Sequence, residues 1–202
     1  MRQLLLATRN QHKVGELQEM LGGMDIKVLT LDEFPNIGEV EEDQDTLQGN
    51  AQKKAREVFR HANIPTLADD SGLEVFYLND APGVFSSRYA GPTASYSDNC
   101  RKLLAALRGV PPRRRSAQFR CVLSFVAPSV DRTAAGSIQG AITEKPRGAS
   151  GFGYDPLFIP SGYNETFAEM SSVLKNTLSH RARALEGMRP ILVEYFAGPG
   201  KR

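Results

Sequence analysis

Residues able to do chemistry gather in a few short stretches of this 202-residue chain. Thr8-Arg9-Asn10-Gln11-His12-Lys13 follows the apolar run Leu4-Leu5-Leu6-Ala7, at a point where a buried strand gives way to a helix. A helix start presents unsatisfied N–H groups and a partial positive charge, and both favour phosphate. A hydroxyl, an amide and an ammonium stand beside it in Thr8, Asn10 and Lys13. The glycines of a Walker loop are missing, and the competing reading is an ordinary cap next to a surface lysine.

Asp69-Asp70-Ser71-Gly72 follows a second apolar run. Two adjacent carboxylates at the end of a buried strand repel each other and lose water, so something must compensate them. A divalent cation would do so and would bring one carboxylate next to a reactive water. The alternative is a hairpin turn, since Asp, Ser and Gly are common turn residues. The acidic stretch containing Glu39, Glu41, Glu42, Asp43 and Asp45 adds further carboxylates, which could equally be a solvated loop.

Gly148 to Pro156 combines flexible backbone with Phe152, Tyr154 and Asp155. Its glycines permit a ligand to approach closely, and either aromatic ring could stack on a base; core aromatics on a connecting loop are the other reading. Lys175 and Ser179-His180-Arg181 place donors at the start of the last helix, suited to phosphate or base oxygens or simply to a solvated helix end. Arg113-Arg114-Arg115 follows two prolines without interleaved aromatics and reads as a mobile surface loop.

These groups need elements to hold them. Val14, Leu17 and Leu21 recur at helical spacing and stop at Gly22-Gly23. A strand is expected over Ile26–Leu31, then a loop to Asp45, then an amphipathic helix over Thr46–Ala62 with Leu47, Ala51, Ala55, Val58 and Ala62 on one face. Thr66–Ala68 and Leu73–Leu78 read as two strands joined across Asp69–Gly72. Ser97–Leu107 reads as a helix, and Gln118–Ala127 and Thr133–Ile142 as an antiparallel pair. A loop-rich stretch over Pro146–Pro160 precedes a last helix starting near Thr177, which Pro190 kinks or ends. Helices interleaved with strands at both ends predict an α/β fold with a mixed sheet flanked by helices.

Composition narrows the function class. Lys and Arg total 25 against 23 Asp and Glu, and a net charge of +2 does not by itself call for nucleic acid. No apolar run approaches the roughly 18 residues of a membrane helix, and Leu4–Ala7 is too short for a signal-peptide core, so a cytoplasmic location is expected. Two cysteines, Cys100 and Cys121, cannot build a disulfide framework or a Cys-rich zinc site. His12, His61 and His180 match no zinc-ligand spacing. Length fits one large domain, 1–202, or two intimate lobes. An anion-binding turn, a carboxylate cluster, a Gly/aromatic loop and a basic helix start are together the parts that hold a nucleoside triphosphate with a divalent ion.

In that combination the chain resembles the inosine triphosphate pyrophosphatase family, in particular its bacterial branch. The matching blocks are residues 6–13, Asn50-Ala51 with Lys54-Ala55, 67–73, 81–91, 151–156 and 179–185, in the family's order over nearly the whole chain. The resemblance implies an elongated α/β sheet fold of two lobes with the active site in a cleft between them. It further implies a homodimer, dependence on Mg²⁺, and hydrolysis of dITP, ITP and XTP to monophosphate and pyrophosphate, which keeps hypoxanthine and xanthine out of DNA and RNA. Carried over by position, Thr8, Arg9, Asn10, Gln11, His12 and Lys13 bind the triphosphate. Glu41 and Asp70 hold Mg²⁺, Asp70 is also the proton acceptor, and Ser71 touches substrate. Phe152, Gly153, Tyr154, Asp155, Lys175, His180 and Arg181 form the base pocket. Which of Glu41 and Glu42 reaches the metal stays open. No membrane and no stable nucleic-acid partner is expected. Two other classes remain to be weighed: a nucleotide- or RNA-binding module without turnover, and a pyrophosphatase for modified pyrimidine nucleotides.

Overall fold

A computed structural model describes residues 2–198. The first elements are β1 (Gln3–Leu6), α1 (Gln11–Leu21), β2 (Lys27–Thr30), α2 (Leu47–Ala62) and β3 (Thr66–Val75). They are followed by α3 (Tyr96–Ala106), β4 (Ser116–Ala127), β5 (Val130–Ile142), β6 (Phe158–Pro160), α4 (Ser172–Leu178) and α5 (His180–Ala197). The six strands form one sheet in the order β2-β1-β3-β4-β5-β6, as the mixed α/β expectation requires. Two compact units divide the chain. One contains residues up to Asp70, Cys121–Gly136 and the chain from Arg181 onward; the other contains Ser71–Arg120 and Ser137–His180.

In the first unit β1 runs parallel to β2 on one side and to β3 on the other, with Leu5 opposite Leu29 and Thr66. Being central, it is buried on both faces, and Leu4, Leu5 and Leu6 are fully inaccessible. One sheet face carries Leu4, Leu6 and Leu67 against Val14 and Leu17 of α1 and Leu185 and Met188 of α5. The opposite face carries Leu5, Ala7 and Ala68 against Ala55 and Val58 of α2. The chain leaves β1 towards β2 and returns on β1's other side as β3. Ligands of open α/β sheets bind beyond the strand ends where the order reverses in this way. Here Thr8–Lys13 follows the end of β1, and Asp69-Asp70 lies on β3 just past Thr66 and Leu67, where β3 pairs with β1.

In the second unit Leu73, Val75, Leu103, Phe119, Ile138, Leu157, Phe158 and Phe167 pack into a separate core. Back in the first unit, Pro128-Ser129, with Ser129 at φ 62°, folds β5 back after β4.

The elements differ from their sequence expectations: the strand expected over Leu73–Leu78 stops at Val75, and the loop-rich stretch ending at Pro160 contains β6. Asp69–Gly72 is not a turn; β3 runs straight through it, because buried cations meet the carboxylates that a turn would have put in water. The last helix is two elements, α4 and α5, and α5 continues past Pro190 to Ala197. Arg115 is not on a mobile loop: it is buried, and its guanidinium donates to the carbonyls of Leu107, Val110, Ile142 and Thr143. Arg113 and Arg114 are exposed as expected.

Candidate active site

Alternation along β3 decides where the two acids go. Leu67 lies on the α1/α5 face and Ala68 on the α2 face, so Asp69 turns towards α1 and α5 and Asp70 towards α2. Asp69 is fully buried. Its Oδ2 accepts from Arg181 Nε at 3.2 Å and Nη2 at 2.9 Å, and lies 3.2 Å from Lys13 Nζ. Arg181 Nη1 donates to Glu16 of α1. On the other face, Asp70 Oδ1 accepts from Lys54 Nζ at 3.0 Å and Oδ2 from Asn50 Nδ2 at 3.3 Å. Lys54 Nζ also donates to Glu42 Oε1 at 2.8 Å.

These environments drive the two carboxyls apart. Burial pushes Asp69 up, but the charges of Lys13, Arg181 and Lys54 together prevail and hold it well below the usual carboxylate range. For Asp70 burial prevails, with Glu42 adding repulsion, and its carboxyl is raised despite Lys54 and Lys13. Burial works against the charge on Lys54, yet Asp70 and Glu42 outweigh it and keep the ammonium protonated. Arg181 is likewise held charged against its burial by Asp69 and Glu16.

Around β1's exit the Asn10 side chain caps α1, accepting from the N–H groups of His12 at 3.1 Å and Lys13 at 3.3 Å. Thr8 Oγ accepts from Asn10 N–H at 3.2 Å. Arg9 donates to the carbonyls of Leu31 and Ile37, so its guanidinium ties the turn to the segment after β2. Gln11 reaches Asp32 at the surface and His12 is exposed. Within Thr8–Lys13, Lys13 meets Asp69 directly. Glu41 is exposed, whereas Glu42 is half-buried and shares Lys54 with Asp70.

The donor set fits a hard divalent cation. Glu42 and Asp70 already share one cationic group, and Glu16, Glu42, Asp69 and Asp70 outnumber Lys13, Lys54 and Arg181 by one charge. Among the described residues no three His, Cys, Asp or Glu side chains form a metal cage. Mg²⁺ does not need one: it commonly takes one or two protein carboxylates and completes its shell with water and substrate phosphate.

The second unit holds the Gly/aromatic loop. Gly151 sits at φ +74°, and a Cβ there would lie 2.2 Å from Asp155 Oδ2, so only glycine lets the loop close on that carboxylate. The same oxygen accepts from Phe152 N–H at 2.9 Å and from Lys175 Nζ at 2.5 Å. Lys175 Nζ stands 4.9 Å from the centroid of the Phe152 ring. That ring is half-buried and can present a face, with Tyr96 tilted against it at 6.0 Å. Tyr154 is buried in the core instead, its hydroxyl donating to Ser86 O at 3.0 Å. His180 is buried and stacks on Phe119, ring centroids 4.7 Å apart. Gly153 and Ser71 are partly exposed.

Lys54, Asn50, Glu42 and Glu16 are the members of these groups that a motif-by-motif reading undervalues. The available signal was position: Asn50 and Lys54 are four apart on the apolar side of α2, and Glu16 follows Lys13 by one helical turn.

Residues 4–191 match the Ham1 family. The chain belongs to that family. It is similar to a protein named dITP/XTP pyrophosphatase from Geobacter sulfurreducens, 46% identical over 92% of this chain and 94% of the relative. A protein of the same name from Desulforamulus reducens is 46% identical over 94% of each chain. Among solved structures, a HAM1 protein from Coxiella burnetii has a TM-score of 0.86 and 40% identity, covering 96% of this chain and all of that one. The Staphylococcus aureus Ham1 protein has a TM-score of 0.85 and 34% identity over the same shares. The Ham1 assignment agrees with the family the sequence blocks resemble and with the α/β sheet observed here.

Proposed function

We propose that this Ham1 chain hydrolyses deaminated purine nucleoside triphosphates, dITP, ITP and XTP, to the nucleoside monophosphate and pyrophosphate. Water adds to the α-phosphorus, the bond from that phosphorus to the bridging oxygen breaks, and pyrophosphate leaves. One observation carries the reading: two adjacent buried carboxylates each meet a lysine ammonium, Asp69 with Lys13 at 3.2 Å and Asp70 with Lys54 at 3.0 Å, in a chain 46% identical to a protein named dITP/XTP pyrophosphatase.

Asp70 is the proton acceptor. Its raised carboxyl brings its basicity closer to neutral pH, where a general base works best. Lys13 binds the triphosphate as a point charge and leaves Asp69 ionised against Arg181. The Thr8–Lys13 turn, with Ser71, supplies polar contacts to the substrate. Asp70 and the Glu41–Glu42 pair would hold Mg²⁺, which when bound would supply charge neutralisation on phosphate and acidification of water. Glu42 is the preferred member because it shares Lys54 with Asp70. Phe152 stacks on the base, while Gly153, Asp155, Lys175 and His180 shape its surroundings. Arg181 contributes through Asp69. The working form is a cytoplasmic homodimer, with residues 1–202 as one functional domain; no helix among the described residues is long and apolar enough to cross a membrane.

Incubation with ITP, XTP, GTP and ATP plus Mg²⁺, in water enriched in ¹⁸O, tests this. IMP carrying the label, with unlabelled pyrophosphate, is expected. Orthophosphate with IDP would reject attack at the α-phosphorus, and absence of turnover would leave a binding module.

A further inference from the structure

The base loop of the second unit is tied down by Ser86 and α3, to which no part in recognition has been given. Ser86 lies at the centre. Its Oγ donates to Gly83 O at 2.6 Å and accepts from Leu73 N–H at 2.9 Å, two residues beyond Ser71. Its carbonyl accepts the Tyr154 hydroxyl at 3.0 Å. Burial raises the Tyr154 hydroxyl well above its ordinary value, so it stays a donor throughout the working range.

β3 itself is pressed onto the same turn at Gly72. A Cβ on Gly72 would stand 2.4 Å from Gly83 O and 3.3 Å from Ser86 Oγ, so β3 approaches the turn as only glycine can. α3 braces both partners. Asn99 donates to Ser87 O at 3.0 Å and accepts from Ala90 N–H at 2.7 Å, while Cys100 Sγ donates to Gly153 O at 3.3 Å. Ser86, Asn99, Cys100 and Tyr154 are all buried, so these bonds do not exchange freely with water.

We infer that Ser86 and Tyr154 form a positioning pair that fixes the Phe152–Asp155 loop relative to Ser71. The inference rests on the nucleotide reading above. Tyr154 touches no substrate in it; it acts through the loop backbone, which carries the Phe152 ring and, through Asp155, the Lys175 ammonium. A loop free to shift by an ångström weakens recognition of the base more than it slows attack at phosphorus, which uses groups outside the loop.

Tyr154→Phe removes one hydroxyl and keeps the ring in the core. With ITP, KM is expected to rise about 5-fold, the scale of one buried hydrogen bond, with kcat within 2-fold. The ITP/ATP ratio of kcat/KM should narrow by a similar factor. Ser86→Ala, which leaves Leu73 N–H without its acceptor, should give the same split, and the double variant should be less than multiplicatively worse, because both act on one loop. A lowered melting temperature with unchanged KM and ITP/ATP ratio in either soluble variant would overturn the inference, as would fully multiplicative effects. Wild-type protein inert towards ITP would instead defeat the nucleotide reading itself, and the pair's role with it.

Discussion

Asp69 and Asp70 are neighbours in the chain, yet their carboxylates occupy opposite faces of the sheet. Asp69 meets Lys13 and Arg181 on the α1/α5 face; Asp70 meets Lys54 and Asn50 on the α2 face. The 180° alternation of a strand gives each member of what would be a repelling pair its own nearest cation. One carboxyl is held low and the other raised, so a structural acid and a basic one sit on consecutive residues.

Asp70→Asn keeps the shape and removes the proton acceptor. Loss of a general base costs about 10²–10⁴-fold in rate. That loss is expected in kcat, with ITP binding by calorimetry largely retained. Wild-type turnover in a clean preparation would remove Asp70 from the reaction.

Asp69→Asn acts on folding. It leaves Arg181, almost fully buried, facing an amide where it had a carboxylate. Breaking a buried pair by removing one partner costs about 3–5 kcal/mol, to be measured by urea unfolding. Because the folded Asp69 carboxyl is held below its unfolded value, its contribution is complete above pH about 4 and is lost as pH falls through the folded value. Wild-type stability should therefore drop on acidification below pH about 4, and Asp69→Asn should lack that part of the drop.

Lys13→Ala should lower kcat/KM for ITP and XTP by similar factors, about 10–100-fold, the scale of a charge-assisted hydrogen bond. Phosphates carry no information about the base. A loss confined to one base would move Lys13 to the base pocket.

Arg181→Ala separates two roles. A guanidinium reading the purine C6 oxygen would, when removed, shrink the ITP/ATP ratio at least ~10-fold. With its nitrogens on Asp69 and Glu16, the expected outcome is lost stability and an ITP/ATP ratio within about 2-fold of wild type. The kcat/KM values for both nucleotides, measured beside an unfolding curve, decide between them.

Local information carried much of this protein. Leu4–Leu6, the Val14/Leu17/Leu21 spacing and the Leu47-to-Val58 stripe state their elements directly, because burial of a strand or a helix face leaves its period in the sequence. Asn10 and Thr46 mark helix starts by chemistry that is entirely local. The ordered blocks from residue 6 to residue 185 were enough to name the family. Tertiary structure decided what depends on distant partners. Asp69–Gly72 has the composition of a turn, and it is a strand because Lys13, Lys54 and Arg181, which lie 56, 16 and 112 residues from their acids in the chain, arrive to neutralise it. Arg115 looks solvated until four carbonyls close around it, and Tyr154 looks like a stacking ring until its hydroxyl finds Ser86. A charge or a polar group is placed by its neighbours in space, and their identity is written elsewhere in the chain.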